Sequence, residues 1–193
     1  MKKITKLVFA MGALGIGVLA RTGQDEAEVR RKIVGTWKLV FEEYTLKDGS
    51  TNHAYGPNGK GYLMYAADGH MCAVEMNPDR PRWKNLANPT QQEKAEAFDG
   101  SYGYCGPYEI DTKHNQLIHL PEVSTGPGYV GTRQLRPYQF EGNRLILSGG
   151  AVEDEPEVAS WKVVWEKVRQ NFALRPLVKW SLVQSPVSSF PRN

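Results

Sequence analysis

The side chains able to do acid–base, nucleophilic or metal chemistry are few and scattered in this 193-residue chain. A protein zinc site draws three or four His, Cys or carboxylate ligands at short, recurrent spacings. His53, His70, His114 and His119 follow none of them, so no metal is expected. Cys105 and His119 could make a thiol–imidazole dyad, but no third group orients the ring and no local nucleophile signature surrounds the cysteine. No Gly-x-Ser-x-Gly elbow occurs. Glu75 and Glu109 could act as a carboxylate pair inside a closed fold, although charged strand residues more often face water. The glycine-rich loop from Tyr55 to Gly61 has the composition of a phosphate cradle but lacks the Lys-Ser/Thr ending and a following helix. It reads as a turn feeding a strand. The reading therefore assigns no catalytic residue, no metal and no cofactor.

What remains are residues suited to holding a small molecule. Tyr65, Tyr102, Tyr104 and Tyr138 each offer an apolar ring with one polar tip. His119 and Arg136 are polar groups of the kind that orient a ligand in an otherwise apolar pocket. These six are the expected ligand-binding residues. Each also has a purely architectural reading: the aromatic residues as core, His119 as a hydrogen-bonded core histidine, and Arg136 as an outward partner of a surface acid.

Positioning them falls to a series of short strands. Gly35-Thr36-Trp37-Lys38-Leu39-Val40-Phe41 opens the first, and the period of two puts Trp37, Leu39 and Phe41 on one face. Trp37 is the expected plug for one end of a barrel. Strands follow over 61–67 and 70–76, joined by the tight turn that Asp68-Gly69 favours. Pro78, Pro81 and Pro89 turn the next stretch into a lid-like loop. Thr90-Gln91-Gln92-Glu93 is a capping box that starts one short helix, stopped at Asp99-Gly100. Further strands are expected over 101–110 (Tyr102, Tyr104 and Tyr108 on one face), 116–123 (carrying His119), 130–140, 144–148 and 159–168. The expected inward set is Trp37, Phe41, Tyr65, Tyr102, Tyr104 and Trp165. About eight strands at hairpin spacing with so little helix predict an all-β sandwich or up-and-down barrel.

The chain begins with Lys2, Lys3 and Lys6, an apolar run from Leu7 to Leu19, and small residues at Val18-Leu19-Ala20. That pattern predicts a signal peptide over 1–20 and an exported product, periplasmic or extracellular. The run is too short to span a bilayer comfortably, so no stable membrane insertion is expected after cleavage. Removing those three lysines from the 24 basic residues leaves 21 against 21 acidic ones, which gives no electrostatic reason to expect nucleic acid. Cys72 and Cys105 form either one bridge, as an oxidising compartment permits, or two small buried hydrophobes. Residues 21–34 read as a lead-in segment, 35–168 as the domain, and 169–193 as a tail with a possible edge strand at Val178, Trp180 and Leu182. The oligomeric state is left open.

Several blocks, taken in order, resemble the lipocalin-like domain family. They are Gly35-Thr36-Trp37-Lys38-Leu39-Val40, Gly56-Pro57 with Gly61-Tyr62-Leu63-Met64-Tyr65, Asp68-Gly69-His70-Met71, and Ala97-Phe98-Asp99-Gly100. Tyr104, Gly106-Pro107-Tyr108-Glu109-Ile110-Asp111, His119, Gly131-Thr132, Arg136 and Tyr138 complete the match, which covers about 33–168. The resemblance implies an up-and-down antiparallel barrel of about eight strands. By analogy it also implies capture of a small hydrophobic or amphipathic molecule in a central cavity. The alternative is a non-metal cyclase or isomerase acting on a hydrophobic intermediate inside the barrel.

Overall fold

The strand patterns of the sequence close on themselves. The structure, a computed structural model, describes residues 25–151 and 155–169; the expected leader and nearly all of the tail, with its possible edge strand, lie outside them. Its strands are β1 (Gly35–Leu46), β2 (Thr51–Asn52), β3 (Lys60–Tyr65), β4 (His70–Met76), β5 (Ser101–Asp111), β6 (Gln116–His119), β7 (Val123–Ser124), β8 (Gln134–Glu141), β9 (Arg144–Gly149) and β10 (Val158–Lys167). Neighbours pair antiparallel in the order β10-β9-β8-β6-β5-β4-β3-β1, and β10 pairs back onto β1 to complete an eight-stranded barrel. Because the cylinder closes, its long strands leave no unpaired edge.

Alternation decides which residues face inward. β3 runs strictly exposed–buried, with Leu63 and Tyr65 inside. Register carries that face around the ring: Leu63 lies opposite Ala73, Ala73 opposite Tyr104, and Tyr108 opposite His119. On the other side Leu117 lies opposite Arg136, Tyr138 opposite Leu147, and Leu147 opposite Val163. At the mouth end of β10, Gly149 lets the Trp161 indole lie across it, since a Cβ there would sit 2.5 Å from the ring nitrogen.

The two ends of the barrel differ. Short turns over 66–69, 112–115 and 142–143 join the strands at one end. The longer connections over 47–59, 77–100 and 120–133 all sit at the other. The short-turn end is closed by a helix, α1 (Glu26–Ile33), which falls in the charged, helix-compatible stretch Gln24 to Lys32 of the lead-in. Asp25 caps it, accepting from the Ala27 N–H. Val29 and Ile33, one turn apart on the same face, are fully buried against the barrel floor. The second helix, α2 (Gln91–Asp99), starts at the expected capping box: Thr90 accepts from the Glu93 N–H while Glu93 accepts from the Thr90 N–H.

Three expectations need correcting. Phe41 does not share a face with Trp37 and Leu39. Leu39 lies opposite Trp165 and Phe41 opposite Val164, so two steps along β1 answer one step along β10. Val40 is the extra residue of a β-bulge, and a bulge inverts the alternation beyond it. Phe41 leaves the lumen, where the Lys162 ammonium lies over its ring, and Glu42 and Tyr44 turn in. The single strand expected over 116–123 is also two strands, β6 and β7, separated around Pro121, which has no N–H to give a ladder. The strand expected over 130–140 begins at Gln134, because Pro127–Tyr129 form a 3₁₀ turn.

Cys72 and Cys105 face each other directly across β4 and β5, with Cα atoms 4.1 Å apart, and are bridged on the outer face of the barrel. Of the two readings the sequence left open, the structure has the bridge. It ties residues separated by 33 positions and restricts the unfolded chain accordingly. Replacing both cysteines by alanine is expected to lower stability by about 2–4 kcal/mol, read from urea melts against the oxidised protein. An unchanged midpoint would count against the bridge.

Candidate functional site

Halfway up the barrel three of the six expected residues meet. The Tyr65 hydroxyl lies 2.7 Å from His119 Nε2, and the Tyr104 hydroxyl lies 2.7 Å from His119 Nδ1. His119 is 1% exposed. Burial, and then the positive charge of Arg136, hold its pKa well below the usual histidine range. A neutral imidazole has one N–H and one lone pair, so one phenol donates to the ring and the other accepts from it. Burial pushes both phenol pKa values upward, and Arg136 opposes that rise. The three side chains thus form a neutral, mutually satisfied crossbar inside the barrel.

Between this crossbar and the long-loop end the lumen is lined by polar side chains, a region termed the chamber. Arg136 reaches in from β8, opposite Leu117 on β6, and does not face outward toward a surface acid. Its Nη2 donates to the Tyr129 hydroxyl at 2.5 Å and to Gln134 Oε1 at 3.3 Å, and its Nη1 donates to the Leu135 carbonyl at 3.1 Å. Its guanidinium lies 5.2 Å from the centre of the Trp161 ring. Burial works against its charge, and the phenols of Tyr104 and Tyr129 support it. Among the described residues it forms no ion pair with a carboxylate. Tyr102 stands at the same level, edge-on to Tyr129 with ring centres 5.3 Å apart. Its buried hydroxyl oxygen lies near Ser124 and Tyr129 without the geometry of a hydrogen bond to either.

Two carboxyls complete the chamber. Glu42, 6% exposed, is turned inward by the Val40 bulge and accepts from the Tyr55 N–H at 3.3 Å. Glu75 lies on the lumen side of β4, opposite Tyr102 on β5 and Gly61 on β3. Gly61 is a positional requirement, because a Cβ there would sit 2.9 Å from Glu75 Cγ. Burial, and then the hydrogen-bonding contact with Glu42, push the Glu75 pKa well above the usual carboxyl range. A carboxyl held in this way favours its protonated form. Tyr44 and Tyr55 stand beside it, their phenol pKa values raised by burial and then by these carboxyls. A small cavity of about 10 Å³ opens against Glu42, lined also by Leu39, His53 and Tyr55; that is room for one water molecule.

The remaining expected residues fall elsewhere. Tyr138 is at the helix-closed end, its ring 5.5 Å from Phe140 and close enough to α1 to feel Glu28. Trp37 is the floor plug. Glu109, weighed above as a partner for Glu75, faces outward and pairs with Arg133 at 2.9 Å. Glu75 finds Glu42 instead. Sequence reasoning missed Glu42, Tyr44 and Tyr55, and also Tyr129 and Trp161. Glu42 and Tyr44 were hidden by the bulge, while Tyr55 and Tyr129 come from loops where strand periodicity says nothing. Trp161 was legible as one of an alternating set but was not named for the lumen.

A family model described as a lipocalin-like domain matches residues 34–168. No curated protein matches the chain. No helix among the described residues is long and apolar enough to cross a membrane.

Proposed function

The chain belongs to the lipocalin-like domain family, and from that premise we propose that it is an exported protein that binds a small amphipathic molecule through the open end of its barrel. The observation that carries this reading is Arg136: a guanidinium turned into the lumen, held by neutral phenol, amide and carbonyl oxygens, with no acid among the described residues paired with it. A half-buried guanidinium bonded only to neutral oxygens is suited to take an oxygen of a bound molecule as a further partner. The rings of Trp161, Tyr102 and Tyr129 flank the guanidinium and suit the apolar part of such a ligand. Export is supported by the leader pattern of the sequence and by the Cys72–Cys105 bridge, which persists in oxidising compartments. The crossbar of Tyr65, His119 and Tyr104 forms the floor of the site, so the ligand sits above it and not throughout the cylinder.

Trp161 makes the reading testable by intrinsic fluorescence. Titration with an amphipathic probe such as 8-anilinonaphthalene-1-sulfonate is expected to quench or shift tryptophan emission and to raise the melting temperature. Arg136→Met is expected to weaken binding about 10- to 100-fold, the value of a hydrogen bond to a charged group, while the melting temperature without ligand stays within a few degrees. A probe that neither perturbs the emission nor shifts the melting temperature would overturn the proposal.

A further inference from the structure

An antiparallel sheet with one face on the core normally shows polar residues on the other. β8, β9 and β10 follow that rule and expose Gln139, Glu141, Arg144, Lys162 and Glu166. The outer wall over β3, β4 and β5 breaks it. Tyr62 is 47% exposed, Met64 43% and Val74 37%, and their neighbours across the strands are Cys72, Cys105 and Gly103. No charged side chain interrupts these two rows, and a contiguous exposed apolar surface of this kind marks an interaction site. The relief of the wall follows from register. In one row Tyr62 on β3 lies beside Val74 on β4, and Val74 beside Gly103 on β5. In the next row Met64 lies beside Cys72, and Cys72 beside Cys105. The long side chains stand on β3 and the short ones on β5, so the wall has a ridge on one side of β4 and a groove on the other. A third row continues the pattern, with Lys60 on β3, Met76 on β4 and Ser101 on β5.

A ridge and a groove at equal distances from a central strand fit a copy of themselves. We infer that this wall is a homodimer interface, with the two-fold axis lying over β4 and parallel to it. Rotation about that axis lays Tyr62 of one copy over Gly103 of the other and Met64 over Cys105, while Val74 and Cys72 meet their own equivalents. Ridge and groove each lie one strand spacing, about 4.8 Å, from the axis. The contact is isologous, and the two sheets stack with their strands aligned, a common mode for sheets packed face to face. An unrelated partner would need no such match between the two halves of one wall. Charge selects the same arrangement. Lys60, at the end of the ridge, falls over Ser101 of the other copy, close to where α2 ends at Asp99. Among the described residues neither Lys60 nor Asp99 forms an ion pair. The last turn of α2 has no basic residue, so its carbonyls add negative charge at that point. Exposed Phe98, beside Asp99, extends the apolar contact. Tyrosine and methionine at the centre with charge at the margin match the anatomy of interfaces. The footprint is on the order of 500 Å² per copy, at the low end of specific interfaces, so the dimer is reversible.

The test is sedimentation equilibrium of the protein with its bridge intact, from about 5 to about 500 μM, where a small interface associates. The average mass is expected to rise from one chain to two across that range. Tyr62→Glu puts a charge on the ridge and is expected to weaken dimerisation about 100-fold, the loss of a central aromatic anchor. Because Tyr62 is on the surface, the melting temperature of this variant is expected to stay within a few degrees of wild type. Met64→Glu makes the same test should Tyr62→Glu fail to fold. Lys60→Asp and Asp99→Lys are each expected to weaken the dimer about 10-fold, since either sets like charges against each other. The double variant Lys60→Asp/Asp99→Lys is expected to recover the wild-type constant. A mass that stays at one chain up to about 500 μM would overturn the homodimer, whatever else covers the wall. A dimer that neither Tyr62→Glu nor Met64→Glu weakens would put the contact on another face and overturn it as well. A double charge variant no tighter than the single ones would overturn the placement of the axis.

Discussion

Trp37→Ala is expected to lower stability by about 3–5 kcal/mol, the cost of emptying a large aromatic site in a packed core. At roughly 2–4 °C per kcal/mol for a domain of this size, the melting temperature should drop by about 10–15 °C. The magnitude follows from position. Trp37 is 2% exposed at the end where α1 closes the barrel, and its indole N–H donates to the Ile33 carbonyl at 2.7 Å. The Lys167 ammonium lies 4.9 Å from the ring centre, covering the side that the helix does not. Removing the ring therefore opens a cavity, strands the Ile33 carbonyl and uncouples α1, with Val29 and Ile33, from the floor it plugs. Trp37→Phe keeps most of the volume and loses the hydrogen bond, so it should cost about 1–2 kcal/mol. Thermal melts of the three proteins test this, and a Trp37→Ala protein melting within 3 °C of wild type would show that the floor is held by other contacts.

The second large effect is in pH dependence, where His119 and Glu75 oppose each other. His119 stays neutral in the folded barrel well below its ordinary 6.5, whereas the unfolded chain protonates it near that value. As pH falls below 6.5 the unfolded state binds one proton more, and stability drops by about 1.4 kcal/mol per pH unit. Glu75 has the reverse sign. Folded, it keeps its proton well above the ordinary 4.5; unfolded, it loses it near 4.5. As pH rises above 4.5 the folded state holds one proton more, and stability drops at a similar slope. Between these ordinary values the two oppose each other, so together they leave the wild-type profile flatter than either alone. Glu75→Gln removes one of them and unmasks the other. Its stability should climb as pH rises toward 6.5, by up to about 1.4 kcal/mol per unit. Asp111, whose pKa the His114 contact holds down to about 2, contributes equally to both proteins and drops out of the comparison. Urea melts at three pH values decide the matter; parallel profiles for wild type and Glu75→Gln would mean that Glu75 does not hold its proton when folded.

The inward face of most strands was legible because alternation is a local property. Tyr65, Tyr102, Tyr104 and Trp165 needed only the period of two, and the structure finds all four inside. The capping box at Thr90 was equally local, and its two hydrogen bonds span three residues. The family blocks fitted because they lie at these turns and strand starts. Even Tyr138, on the same lumen face as Arg136, obeys the pattern; its separation from the chamber is a matter of height along the barrel, which alternation does not encode.

The chemistry of the chamber was not legible, and the reason is physical. A one-residue bulge at Val40 is chosen by how β1 must bend to meet β10, a strand more than a hundred residues later. That choice alone decides whether Phe41 or Glu42 looks inward. The Glu42–Glu75 pair, the phenol–imidazole crossbar and the reach of Arg136 to Tyr129 are all contacts between strands or loops distant in sequence, created when the sheet closes. The sequence by itself determined the strands, their faces, the turns and the apolar plug, because each depends on near neighbours and on which residues avoid water. Only the closed cylinder decided which polar groups share one desolvated space, that Glu75 among them favours its proton, and that the guanidinium pairs with no acid among the described residues.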